Sequence, residues 1–149
     1  MKKNILSFII LSLIILTACS GKKETYPEAE QVLHKWAKSI EALNYFDYKA
    51  CEAYPKEQNV FLEMYKEYYL ADLMIIEADK INEKDVKKDQ EGNSYIKRNL
   101  KFDCAEVKRK TRKPSVLIVG DVDMVKFIDG KRSKDGWLMS NRTLIRMKR

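Results

Sequence analysis

The sequence has few of the residues that disordered linkers and metal sites require. It contains five Gly and three Pro, so we expect no long disordered segment. One His and three widely spaced Cys are too few for a usual nitrogen–sulfur metal site, and we expect neither a metal nor another cofactor. The longest apolar run, residues 5–16, is shorter than the roughly 18 residues that cross a bilayer. The sequence therefore predicts no transmembrane helix.

The N-terminal segment instead has the organisation of a secretory signal. Lys2 and Lys3 precede the apolar run, and small Ala18 lies where signal cleavage requires a small residue. The run ends at a cysteine, Cys19, and a polar, charged segment follows at once. This arrangement indicates export from the cytoplasm.

The stretch Leu16-Thr17-Ala18-Cys19 resembles the lipobox of bacterial lipoproteins. The resemblance implies a diacylglyceryl group on the Cys19 thiol, cleavage before it and further acylation of the new N-terminus. We therefore expect residues 1–18 to be a lipoprotein signal peptide, and residues 19–27 to be the lipidated cysteine and a polar tether. The alternative is an ordinary signal peptide with a chance cysteine.

Lipid on Cys19 would place the protein at a membrane. Each buried methylene contributes about 0.8 kcal/mol, so two or three chains bind a membrane durably where one chain does not. We expect a lipid-anchored protein of the cell membrane that is exposed outside the cytoplasm. Ser20 stands where an aspartate signals inner-membrane retention in some lipoproteins, which favours the outer membrane if the source has one.

The charge is distributed unevenly along the chain. Residues 20–92 carry 11 Lys/Arg against 16 Asp/Glu, a net charge of −5, whereas residues 93–149 carry 16 against 6, a net charge of +10. A basic end attracts anions such as lipid headgroups, an anionic envelope polymer or an acidic protein. Export makes nucleic acid an unexpected partner.

The densest basic run follows the first long strand. Two interpretations are open: a contact with an anionic surface, to which each basic residue contributes about 1 kcal/mol, or a loop whose lysines prevent edge-to-edge sheet pairing. The candidate contact residues are Lys108, Arg109, Lys110, Arg112 and Lys113.

Cys51 and Cys104 remain as a pair in an exported protein. They could form a disulfide, because the space outside the cytoplasm often permits one, or stay as two buried thiols. Cys104 alternates in phase with Phe102, and Cys51 shares a helical face with Leu33 if the first helix continues that far. On that basis we expect their Cα atoms within about 7 Å, unless the helix breaks near Asn44.

Helical periodicity dominates the first part of the mature chain. From Glu28, apolar residues including Leu33 and Trp36 recur at helical spacing, and Asn44 ends or interrupts this segment. A second apolar stripe follows Pro55 and consists of Phe61, Met64, Tyr65 and Tyr68.

Alternating patterns dominate the remainder. Residues 70–81 fit either a continued helix or a buried strand, and we favour the strand. Strands are predicted around residues 96–104, 115–128 and 137–147, with a bulge or bend at Gly120 and a hairpin loop over residues 129–136. Helices followed by strands predict an α+β fold: N-terminal helices on a curved antiparallel sheet of three to four strands, arranged as a meander in a single domain.

The order of elements resembles the NTF2-like, or cystatin-like, domains of small bacterial lipoproteins. The stretches "EALNYFDYKACEAYP", "FLEMYKEYYLADLMI" and "DGWLMSNRTL" resemble their first helix and turn, their second helix entering a strand, and their terminal strand. The resemblance implies an NTF2-like α+β domain over residues 28–149, with helices in the concavity of the sheet. This fold supports enzymes, ligand binders and scaffolds alike.

Individual side chains give no catalytic constellation. His34 is predicted beside the apolar helix stripe, and Asp121 and Asp123 are predicted to face solvent while Val122 and Met124 face the core. The tyrosines at helical spacing are interpreted as core rather than as a pocket lining.

The sequence therefore predicts a lipid-anchored binding or assembly module without catalytic residues. The alternatives are a small NTF2-like enzyme of the isomerase or hydrolase type, and an inhibitor or immunity lipoprotein that acts through its basic C-terminal half.

Overall fold

The computed structural model describes residues 28–147, which form one α+β domain. Three helices pack on an open antiparallel sheet of five strands. In chain order the elements are α1 (Glu28–Glu41), α2 (Tyr45–Cys51), α3 (Gln58–Tyr65), β1 (Tyr68–Ala78), β2 (Lys87–Lys88), β3 (Ser94–Lys108), β4 (Lys113–Phe127) and β5 (Trp137–Met147). The expected signal peptide, residues 1–18, and tether, residues 19–27, lie outside the described residues. None of the described helices is long and apolar enough to cross a membrane.

The helical segment is interrupted at Asn44. Leu43 adopts a left-handed backbone conformation with φ 52°, which a continuing α-helix does not allow. Asn44 then caps α2, because its side-chain oxygen accepts a hydrogen bond from the Asp47 N–H at 3.1 Å. α1 and α2 are therefore separate helices.

The second apolar stripe ends earlier than its spacing predicts. α3 stops at Tyr65, and Tyr68 is already the first residue of β1. The ambiguous residues 70–81 are extended as far as Ala78, which confirms the strand prediction.

The sheet has the order β1-β3-β4-β5, and every neighbouring pair is antiparallel. This confirms the predicted meander. The short strand β2 pairs with the start of β3. It brings the sheet to five strands, whereas the sequence predicts three to four. It was missed because two lysines in a polar segment carry no alternating pattern.

Gly120 makes no bulge, which corrects the sequence interpretation. It pairs in register with Phe102 on β3 and Leu144 on β5. The register shifts between β4 and its neighbours lie elsewhere, opposite Glu106/Val107 of β3 and at Asp123/Met124 of β4. A Cβ atom on Gly120 would lie 2.2 to 2.5 Å from ring atoms of Phe102. The glycine therefore makes room for the phenylalanine ring.

The core lies between the helices and one face of the sheet, here called the inner face. Fully buried residues from both sides fill it, and they include Trp36, Phe61, Leu100, Phe102, Val122 and Met124. A smaller cluster of Ala53, Val125, Phe127 and Leu138 is buried separately. The chain between α2 and α3 also joins β5, since the Ala53 N–H donates to the Met139 carbonyl at 2.7 Å.

Candidate functional site

Four of the five predicted basic residues form one exposed cluster at the β3–β4 hairpin. Lys108 pairs with Lys113 across the hairpin, and the Arg112 N–H donates to the Lys108 carbonyl at 2.7 Å. Lys108, Lys110, Arg112 and Lys113 are exposed, and none makes an ion pair with another described residue. We call these four residues the basic tip.

The fifth residue, Arg109, is directed inward, and this corrects its assignment as a surface contact. Its Nε donates to the Tyr65 carbonyl at 2.8 Å and its Nη1 to the Glu41 carbonyl at 2.7 Å, while Nη2 donates to the Ile40 carbonyl. The guanidinium also lies 5.2 Å from the centre of the Tyr69 ring, and burial lowers its pKa. Arg109 is thus occupied in binding the C-terminal end of α1 to the hairpin.

The basic tip lies at the opposite end of the domain from Glu28, where the described chain begins. Arg109 joins the hairpin to the last residues of α1, whereas Glu28 at the start of α1 forms an ion pair with Lys126 at 3.6 Å. Lys126 is near the end of β4, and Lys113 at the tip begins it. α1 alone separates the two ends by about 21 Å.

A second candidate site is a cleft of about 450 Å³ between α3 and β5, here called the Arg142 cleft. Its lining includes side chains from three parts of the chain. The ones that matter below are Tyr48, Glu52, Met64, Tyr65, Arg142 and Leu144.

A buried ion pair lies at the base of the Arg142 cleft. Arg142 Nη1 donates to Glu52 Oε1 at 2.7 Å, and Trp36 Nε1 donates to the same oxygen at 3.0 Å. The Arg142 guanidinium lies 4.9 Å from the centre of the Trp36 ring. Burial raises the pKa of Glu52, and Arg142 opposes that change. For Arg142, burial is the largest effect and lowers the pKa, but the charge and hydrogen bond of Glu52 together with Tyr65 and Tyr48 outweigh it, so the pKa is raised.

The Tyr48 hydroxyl has no hydrogen-bond partner. Tyr48 is fully buried, and its oxygen is the one buried side-chain polar atom of residues 28–147 that lacks a partner. Burial raises its pKa; the charge of Glu52 adds to this effect and that of Arg142 opposes it. The hydroxyl therefore lies close enough to Glu52, Arg142 and the Lys56 backbone to interact with them, but none of these contacts has the geometry of a full hydrogen bond.

The sequence analysis assigned no role to Glu52 or Arg142. Glu52 directly follows α2 and is held at β5 by its bridge to Met139, whereas Arg142 is on β5 itself. The pair is 90 residues apart in sequence. The sequence shows only that Arg142 and Leu144, two residues apart in a predicted strand, lie on the same face of that strand. This spacing does not indicate which residue Arg142 binds.

Most of the other side chains lie as the sequence predicts, but Tyr54, interpreted as core with the other tyrosines, is 59% exposed. Asp121 is exposed and Asp123 half-buried, with Asn99 donating to both, while Val122 and Met124 are fully buried. His34 is half-buried beside the core, and burial lowers its pKa. Tyr48 and Tyr65 pack with Phe61 in the core, although both also line the Arg142 cleft.

Of the two alternatives for Cys51 and Cys104, a disulfide or two buried thiols, the structure has the thiols. Both thiols are free and buried. Cys51 ends α2 beside Met139, which pairs with Met124, whereas Cys104 pairs with Ile118 two strands from β5. The stretch of β4 from residue 118 to 124 spans roughly 20 Å, so the register places the two thiols far apart. The interruption at Asn44 also removes the helical phase on which the expectation rested.

Comparison with known proteins leaves the function to be argued from the geometry. No family model, no curated protein and no solved structure matches the chain. Within the part of the chain that the structure describes, no three or more His, Cys, Asp or Glu side chains are grouped to hold a metal ion. The basic tip and the Arg142 cleft are the two features that carry chemistry.

Proposed function

We propose that the protein is a lipid-anchored, non-catalytic binding module of the cell envelope that holds an anionic partner at its basic tip. The observation that carries this proposal is the group of four exposed cations on one hairpin, none of which forms an ion pair with an acidic residue among the described residues. Such a cluster attracts anions by its local positive potential.

The proposal includes lipid on Cys19, a signal peptide over residues 1–18 and a tether over residues 19–27. It also includes an NTF2-like domain over residues 28–149. Three helices that precede a meander and pack on one face of it support that domain assignment.

The position of the tip favours a partner beyond the anchoring membrane. The tether would enter the domain at Glu28, and nine extended residues reach about 30 Å at most. The basic tip lies at the other end of α1, joined to it by Arg109. A domain standing on its tether therefore presents the tip away from the bilayer, towards an anionic envelope polymer or an acidic protein.

The test measures binding of the full lipidated chain, in nanodiscs of neutral lipid, to poly-L-glutamate. The tip variant replaces Lys108, Lys110, Arg112 and Lys113 with Gln. The matched control replaces four other exposed lysines that make no ion pair among the described residues, Lys80, Lys84, Lys131 and Lys134, so both variants lose the same net charge.

We expect the tip variant to lose about tenfold or more in affinity and most of its salt dependence, and the control to bind nearly as the unaltered chain does. Equal losses in the two variants would show that net charge alone attracts the polymer. That result would contradict a role for the tip.

The alternatives make different demands on the structure. An enzyme of this fold needs a free acid or base, whereas the Glu52 carboxylate is already held by Arg142 and Trp36. An inhibitor or immunity protein would direct the same tip at one acidic protein. Crosslinking in the native envelope, followed by identification of the partner, separates a single protein partner from a polymer.

A further inference from the structure

We propose that the Arg142 cleft binds a small carboxylate whose remaining part is apolar or aromatic. The proposal concerns a different surface from the basic tip and does not depend on the function proposed for it. It rests on unpaired donors, on the balance of charge and on the walls of the cleft.

Hydrogen-bond donors without partners meet at the base of the cleft. The Tyr48 hydroxyl is buried and unpaired, which destabilises a folded protein unless a partner arrives. Arg142 uses Nη1 for Glu52; the Tyr48 and Tyr65 hydroxyls lie close enough to interact with its guanidinium, but neither contact has the geometry of a full hydrogen bond. An acceptor with two oxygens, placed between Tyr48 and Arg142, would satisfy donors on both side chains.

The charge of the cleft favours a single negative charge on the ligand. Glu52 neutralises Arg142 at 2.7 Å, and exposed Lys56 on the lining adds one positive charge. A carboxylate balances that charge. A phosphate dianion would bring a second negative charge close to the buried Glu52 carboxylate, which is unfavourable where the dielectric constant is low.

The walls of the cleft match an apolar ligand body. Met64 is 50% exposed and Leu144 is 37% exposed, so a ligand between α3 and β5 would cover both. The ring of Tyr65 adjoins them on the same lining. A volume of about 450 Å³ is within the range of pockets that hold small organic ligands.

The competing occupant is an ordered water molecule on the Tyr48 hydroxyl, which would leave the cleft without a preferred ligand. Phenylacetate and the neutral phenylacetamide are therefore the first pair of probes, because they share a shape and differ in charge. A second pair, N-acetyl-Gly-Phe with a free or an amidated carboxyl end, distinguishes a free small acid from the C-terminus of a peptide.

Trp36 supplies the signal for the titration. Its indole N–H bonds the same Glu52 oxygen as Arg142, and the guanidinium lies over its ring, so a ligand on Arg142 changes its emission. We expect the full chain to bind at least one of the two carboxylates, and to bind the matching amide at least tenfold more weakly.

Tyr48→Phe removes only the hydroxyl, and Tyr95→Phe is its control in the separate small cluster with Phe127. We expect Tyr48→Phe to weaken carboxylate binding about tenfold and to leave the melting temperature of the unliganded protein unchanged or higher. Tyr95→Phe should bind normally.

Equal binding of acid and amide would overturn the proposal, as would no emission change with either carboxylate. Normal affinity in Tyr48→Phe would also overturn it. A lower melting temperature of unliganded Tyr48→Phe would show that the hydroxyl is satisfied within the protein, and this too counts against the site.

Discussion

At the scale of single residues, neighbouring basic residues of one hairpin have different roles. Arg109 donates to three backbone carbonyls and stacks on Tyr69, whereas Lys110 beside it is exposed and makes no ion pair with a described residue. A planar guanidinium with five N–H donors suits such multiple bonding, and a helix C-terminus provides the unpaired carbonyls. Sequence alone gives both residues the same positive charge.

We expect Arg109→Ala to destabilise the domain by about 2–3 kcal/mol, because three bonds from a charged donor to backbone carbonyls, two of them partly buried, are lost. Lys110→Ala should change stability by no more than about 0.5 kcal/mol. Urea unfolding followed by circular dichroism measures both. Similar unfolding midpoints for the two variants would show that Arg109 is a surface residue in solution.

The buried thiols make stability depend on alkaline pH. Burial raises the pKa of Cys51 to about 11 and that of Cys104 to about 12, above the ordinary thiol pKa of 9.0. Above pH 9.0, and below the raised pKa values of the folded protein, the unfolded chain loses thiol protons that the folded chain keeps. The free energy of unfolding therefore falls as the pH rises through this range.

We therefore expect the unfolding midpoint to fall more steeply from pH 9 to pH 11 in the unaltered chain than in the Cys51→Ala, Cys104→Ala double variant. Iodoacetamide at pH 8 should label both thiols only after unfolding. Rapid labelling of the native protein, or parallel pH profiles of the two proteins, would contradict this account.

At the scale of secondary-structure elements, β4 and β3 fit together through one glycine. The Phe102 ring is fully buried over Gly120, its partner in the register. A strand pattern flags Gly120 as irregular because glycine is unfavourable in strand interiors, but it cannot show which side chain uses the space.

Gly120→Ala should destabilise the domain by about 1–3 kcal/mol, because the added methyl group overlaps the Phe102 ring. Phe102→Leu in the same chain should recover part of that loss, since the smaller side chain vacates the site. A double-mutant cycle in urea measures the coupling. Additive effects of the two changes would mean that the ring and Gly120 do not meet.

The interruption between α1 and α2 also belongs to this scale. A left-handed Leu43 and the Asn44 cap start a new helix, so residues beyond the break no longer share the helical phase of Leu33. Asn44 is visible in the sequence as a helix-ending residue. The direction of α2 after it depends on packing of Tyr48 with Phe61 and Tyr65.

At the scale of the whole molecule, the fold places the positive charge of the sequence at one end of the domain. The net positive half of the sequence supplies the β3–β4 hairpin, and its basic tip lies at the opposite end of α1 from Glu28. The proposed anchor at one end and the cationic surface at the other would suit a protein that spans a gap between a membrane and an anionic partner.

Cys19→Ser tests the anchor. Because the apolar run ends in Leu16-Thr17-Ala18-Cys19, we expect the variant to leave the membrane fraction or to stay unprocessed. Fractionation and intact mass spectrometry measure these two outcomes. An unmodified Cys19 in the membrane-bound form of the unaltered chain would refute lipid attachment.

The sequence by itself determined the features that depend on local periodicity. The helix at Glu28 and the alternation around Val122 follow from spacings of 3.6 and two residues. The strand over most of residues 70–81 follows from a short apolar run, and the hairpin loop after β4 from two Asp-Gly pairs. The structure has each of these features. They give the α+β class and the meander, because consecutive strands with short connections pair with one another.

Only the tertiary structure decided what the side chains do. The pairing of Glu52 with Arg142, the inward direction of Arg109 and the separation of Cys51 from Cys104 depend on strand register and on the path after α2. Register is fixed by contacts between residues that are distant in the chain, so no local spacing encodes which charge meets which. The Arg142 cleft can therefore be recognised only from the assembled sheet.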